Sequence, residues 1–154
     1  MIINYIDRTR MYYRALGFQK DYAWASHDDI PFSPPKIPLS QATVALVTTA
    51  VVDASIPKPV REANSYPIGD VPDHFDTSEL SWDKEKTHTK DRESYFPIND
   101  LRARELRQEF KALAPRFHFV PTEYSQRHTI ETDAPLITRH CLEDAVDLAI
   151  LIPL

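Results

Sequence analysis

Cys141 is the chain's single cysteine, so no internal disulfide and no thiolate-rich metal centre can be built from this sequence. Ile130, Ala134, Ile137 and Cys141 recur at helical spacing, which reads the thiol as a small apolar residue on the inner face of a helix rather than as a redox group. The stretch Asp73-His74-Phe75-Asp76, with Asp83, His88 and Asp91 beyond it, brings imidazoles and carboxylates into one segment. Such groups bind metals or move protons, but this spacing matches no compact ligand motif and suits a solvated loop better. Arg116 and His118 flank Phe117 just after Pro115. They could clamp a substrate carboxylate, since arginine pairs with carboxylates in a bidentate fork, or they could be surface residues at a helix end. Thr48 and Thr49 close an apolar strand, where a doubly wound sheet places its ligand contacts; threonine is also simply a good strand residue.

The elements that must carry these residues follow from patterning. Ala42 to Val52 is β-branched and apolar on both faces, a buried parallel strand. The last nine residues, Val146 to Leu154, read the same way, as an interior strand covered on both faces. Tyr5 to Leu16 reads as a helix with Ile6, Tyr13 and Leu16 on one stripe, closed by a left-handed Gly17 with Phe18 folding back on the last turn. Prolines at 31, 34, 35 and 38 make Trp24 to Pro38 an extended connector, which Trp24 and Phe32 would pin to the domain surface.

Residues 53–97 form a long irregular insertion. Asn99 or Asp100 would cap a helix from Leu101 to about Leu113, with Ala103, Leu106, Phe110 and Leu113 on one side. Arg116 to Val120 alternates like a short strand or forms a loop. A last helix runs from Asp133, as N-cap, to about Ala145, with Pro135 in its first turn. Strand, helix, helix, strand implies a right-handed crossover between parallel strands. The expected fold is a single α/β domain over residues 1–154, with a small, mostly parallel sheet and flanking helices, an incomplete Rossmann-like arrangement.

Composition narrows the function. With 154 residues, 42% apolar and 27% charged, the chain can build one real core. A net charge of −5 with no Lys/Arg block speaks against a nucleic-acid partner. Gly17 and Gly69 are the only glycines, which excludes the G-x-G-x-x-G and Walker A loops; no cofactor or metal site is read in the chain. No basic start precedes an apolar stretch, and no segment reaches the roughly 18 apolar residues of a spanning helix. A cytoplasmic location without membrane contact is expected.

Several segments in order carry a resemblance: Tyr22-Ala23-Trp24, Pro31-Phe32, Pro38-Leu39-Ser40 leading into Ala42 to Ala50, Phe96-Pro97 before Leu101-Arg102, Leu113 to Arg116, Ser125-Gln126-Arg127, and Val146 to Pro153. Together, over nearly the full length, they resemble the selenoprotein B component of glycine/sarcosine/betaine reductase, whose relatives include the D-proline reductase subunit. The resemblance implies reductive cleavage of a C–N bond in a small amino acid or its N-methylated form, with thioredoxin-type thiols as electron source and other reductase subunits as partners. It also implies a selenocysteine or cysteine in a C-x-x-C-like motif directly after Leu154, at a strand-to-helix turn. The expectation is therefore that no catalytic residue lies within the 154 residues, and that the chain stops there because a selenocysteine UGA codon was read as a stop. A non-catalytic binding or scaffold module is the alternative.

Overall fold

The computed structural model describes residues 4–21, 23, 25, 26, 28, 29, 33–52, 62–78, 84–122 and 125–154. The chain forms two compact units, Met1–Phe32 and Ser33–Leu154. The α/β domain is the second unit; the first, expected as part of the same domain, is compact by itself. Trp24, Phe32 and Asp83 lie outside the described residues.

In the first unit, α1 (Tyr5–Ala15) starts at Asn4, whose side chain accepts from the Asp7 amide. It ends as the glycine predicts: Gly17 has φ +91°, the Phe18 amide donates to the Tyr13 carbonyl at 3.2 Å, and the two rings meet edge-on at 5.7 Å. None of its residues is buried.

In the second unit, β1 (Thr43–Thr48) is buried at every position, as its unbroken β-branched run requires. It is parallel to β3 (Ala112–Leu113), β4 (Arg116–Phe119) and β5 (Leu148–Ile152). β5 pairs with β1 from Val44 to Thr48, so β3 and β4 share its other edge. They are successive parts of one extended stretch, broken at Ala114-Pro115, where proline has no amide to give. β2 (Asn64–Pro67) is antiparallel to β4. The result is an open, five-stranded, mostly parallel sheet with helices α2 (Ile98–Leu106) and α4 (Ala134–Glu143) in the same unit.

Register sorts the side chains into two faces, because strand residues alternate. Val44, Leu46, Phe117 and Tyr66 share the face that meets Phe75, Phe96, Ile98 and Leu101 in the core. Val47, His118 and Ser65 share the other, and α4 lies against its β2 and β4 portion.

Four expectations change. β5 is an edge strand, not an interior one: Leu151 is 71% exposed, and among the described residues no strand pairs with its outer edge. Its residues on the α4 side stay uncovered because α4 sits over β2 and β4. The stretch 53–97 is not wholly irregular, since it contributes β2; residues 53–61 and 79–83 lie outside the described ones. α2 starts at Ile98 and stops at Leu106, because Gln108 turns left-handed (φ 60°) and drives Phe110 into the core; Leu106 is left 86% exposed. Its first turn is held by Glu93, whose carboxylate accepts from the Asn99 amide at 2.9 Å, while Asp100 pairs with Arg104.

Finally, the last helix begins earlier than Asp133. Ser125 caps α3 (Gln126–His128), a π-helical turn (Thr129–Asp133) follows, and α4 continues directly. The extra residue of the π turn rotates what precedes it, so Ile130 leaves the expected inner face and is 66% exposed; Ala134 is exposed too, and only Ile137 and Cys141 of that face are half-buried. Asp133 is buried and accepts from the Ala63 amide at 3.0 Å instead of capping the helix.

Candidate functional site

Thr48 and Thr49 lie at the carboxyl edge of the sheet, where the parallel strands β1 and β5 end together. The Thr48 hydroxyl is buried and accepts from the Ala50 amide at 3.1 Å. The Thr49 hydroxyl accepts from the Leu154 amide at 2.8 Å and reaches the Leu154 carbonyl at 3.2 Å, so one side chain holds both backbone groups at the exit of β5. Strand ends of this kind form the ligand crevice of open α/β sheets.

Arg116 and His118 are neighbours on one face of β4, with His118 opposite Val47 and so one residue short of that edge, and both are engaged within the chain. Arg116 reaches α4 and its C-terminal end: Nε and Nη2 donate to the two Asp144 oxygens at 2.7 and 2.8 Å, and Nη2 also meets Glu143 at 2.9 Å and the His140 carbonyl at 3.1 Å. Hydrogen bonds donated to Asp144 first, then to Glu143, hold the guanidinium firmly in its charged form. The fork that a substrate carboxylate would take is filled by the protein's own carboxylate.

His118 is fully buried under α4. Its Nδ1 lies 2.8 Å from Ser65 Oγ, and the same hydroxyl lies 2.7 Å from His140 Nδ1. On the other side of the ring, Nε2 lies 3.5 Å from Cys141 Sγ. Burial, then the neighbouring charges of His140 and Arg116, push His118 down to about 4, with Asp144 opposing. Burial, then Asp144, pushes the Cys141 thiol up, with Arg116 opposing. Both shifts favour neutral partners, a thiol beside an imidazole rather than a thiolate beside an imidazolium. Cys141 therefore sits on the inward side of its helix, but against an imidazole rather than in an apolar stripe.

The sequence offered no signal for two members of this cluster. Ser65 falls in the stretch read as irregular, and His140 is merely the residue before Cys141. His74 and His88 are exposed, while Phe75, next to His74, enters the core. Among the described residues no group of three or more His, Cys, Asp or Glu side chains is placed to hold a metal ion, and no helix is long and apolar enough to cross a membrane.

The Arg116 clamp has a measurable consequence. Arg116→Met leaves Asp144, only 11% exposed, with an unbalanced carboxylate and cuts the tie between β4 and the end of α4. Equilibrium urea unfolding is expected to show a loss of about 2 kcal/mol. A change under about 0.5 kcal/mol would mean that solvent satisfies Asp144 as well as the guanidinium does.

No family model, curated protein or solved structure matches the chain.

Proposed function

We propose that this chain is a cytoplasmic component of a thiol-dependent reductase that reductively cleaves a C–N bond of glycine, sarcosine, betaine or a related small amino acid, with a disulfide as acceptor. The observation that carries the reading is the grip of Thr49 on both backbone groups of Leu154 at the carboxyl edge of the parallel strands. A redox motif joined to the chain directly after Leu154 would start from that edge, in the place where open α/β sheets collect their ligands. The ordered segments from Tyr22-Ala23-Trp24 to Val146–Pro153 supply the second line of support. A selenocysteine or cysteine there acts as the low-pKa nucleophile, and thioredoxin-type thiols supply the electrons and end as the disulfide. Cys141 does not substitute for it, because the 154 residues hold no second cysteine with which it could form the C-x-x-C-like pair.

The 154-residue chain and one extended by a C-x-x-C-like segment are to be assayed with dithiothreitol and glycine, sarcosine, betaine or D-proline. Turnover confined to the extended chain is the expected result. Equal turnover in both overturns the assignment of the redox group to the segment after Leu154. A non-catalytic binding module is the second reading. It is favoured by the internal engagement of Arg116 and His118, and it predicts no turnover in either chain.

A further inference from the structure

Cys141, His118, Ser65 and His140 come from α4, β4 and β2 and form an unbroken hydrogen-bonded chain: 3.5 Å from sulfur to Nε2, 2.8 Å from Nδ1 to Oγ, and 2.7 Å from Oγ to the second Nδ1. Its two inner links are buried or half-buried, and its two ends, Cys141 and His140, are both half-buried. A serine hydroxyl has one proton to donate. With both imidazoles neutral, Ser65 donates to one Nδ1 and accepts from the other, so the two rings hold opposite tautomers. When Ser65 donates to His140, His118 carries its proton on Nδ1 and offers the bare Nε2 to the Cys141 thiol.

From that arrangement we infer that the four residues are a proton relay that makes Cys141 a site of thiol–disulfide exchange with small disulfides. The Cys141 proton passes to His118 Nε2, the His118 Nδ1 proton passes to Ser65, and the Ser65 proton passes to His140. Sulfur is left as thiolate and the positive charge rests on His140. His118 is neutral before and after, which suits a fully buried ring that resists charge. The thiolate attacks one sulfur of the disulfide. A new S–S bond forms on Cys141, the old S–S bond breaks, and the departing thiolate takes up the proton released by His140. The balance is one protein thiol and one disulfide giving one mixed disulfide and one free thiol. Arrangements of a nucleophile, a base and a group that orients the base are the signature of an activated nucleophile. The charged groups beside the chain, Arg116, Asp144 and Glu143, are tied to one another and do not interrupt it. The relay lies wholly within the 154 residues and does not depend on the reductase reading.

The test uses the intact chain and 2-hydroxyethyl disulfide, which is neutral at every pH of interest. The chain has one cysteine, so the mass of the mixed disulfide reports Cys141 alone. The rate is to be measured from pH 6 to pH 10 for the natural chain, Ser65→Ala, His140→Gln and the double variant, with circular dichroism as the check on folding. A relay gives the natural chain a plateau of reactivity around pH 7, because the proton has an internal acceptor. Each single variant is expected to be at least about tenfold slower at pH 7, to lose the plateau and to approach the natural rate only towards the alkaline end of the range, as the thiol ionises directly. The double variant is expected to be no slower than either single one, because both cut the same path. A structural role for Ser65 or His140 would instead raise the rate by exposing the thiol. Profiles that follow one simple thiol ionisation in all four chains, or no mixed disulfide in the natural chain, overturn the inference.

Discussion

Phe117→Ala is expected to cost about 3–5 kcal/mol, a large share of the stability of a domain this size. Phe117 has no exposed surface and stands where four aromatic rings meet. It stacks on Tyr66 of β2 at 5.5 Å and 27°, and meets Phe96 at 5.6 Å and Phe75 at 6.4 Å, both at steep angles. The cost of removing a ring depends on whether its neighbours can close the space. Here they cannot move together. Tyr66 is fixed by strand pairing, Phe96 by its place at the start of α2, and Phe75 by the backbone bridge from Asp76 to Val51. The void should therefore persist, and β2, the short antiparallel edge strand, should lose its main apolar anchor. Urea unfolding should show a lower midpoint with an unchanged slope. A loss below about 1.5 kcal/mol would mean that the cluster collapses around the gap.

The contrast between β1 and β2 shows what the sequence makes legible. β1 is recognisable because burial on both faces demands an unbroken β-branched run, and few other settings in a folded domain call for one. β4 is legible for a related reason: Phe117 and Phe119 alternate with Arg116 and His118, so two faces are written directly. β2 is Asn-Ser-Tyr-Pro, with little strand preference, and exists because β4, some fifty residues later, pairs with it. β5 shows the opposite error. Its apolar run states strand type correctly but carries no information about edges, because edge status depends on where α4 and the other strands lie. The π turn is equally silent. One added residue in an otherwise regular helix moves Ile130 off its stripe, and no residue type marks the insertion.

The candidate site repeats the pattern. That Arg116 and His118 share a face follows from alternation. That Arg116 is claimed by Asp144, and His118 by Ser65 and Cys141, follows from contacts between residues 23 to 53 positions apart, which spacing cannot report.

His118 also gives the domain a pH dependence of definite sign. Its ring titrates at about 4 in the folded chain and near the ordinary value of 6.5 when unfolded. Between those values the unfolded chain binds a proton that the folded one refuses, so stability rises with pH across that window. The contribution is complete above about pH 6.5, falls away as acid takes the pH towards 4, and changes no further below it. A depression of this size corresponds to at most about 3 kcal/mol. Urea midpoints measured between pH 7 and pH 4.5 should fall accordingly. His118→Gln keeps a polar side chain in the same place without a titrating ring, so its curve should be flatter across that interval even if its stability at pH 7 is lower. The slope is the decisive readout, because a packing defect shifts the whole curve and leaves its shape alone. An equally steep acid loss in His118→Gln would assign the dependence to other groups. It would also remove the reason for treating His118 as a buried ring that stays neutral, on which its place between Cys141 and Ser65 depends.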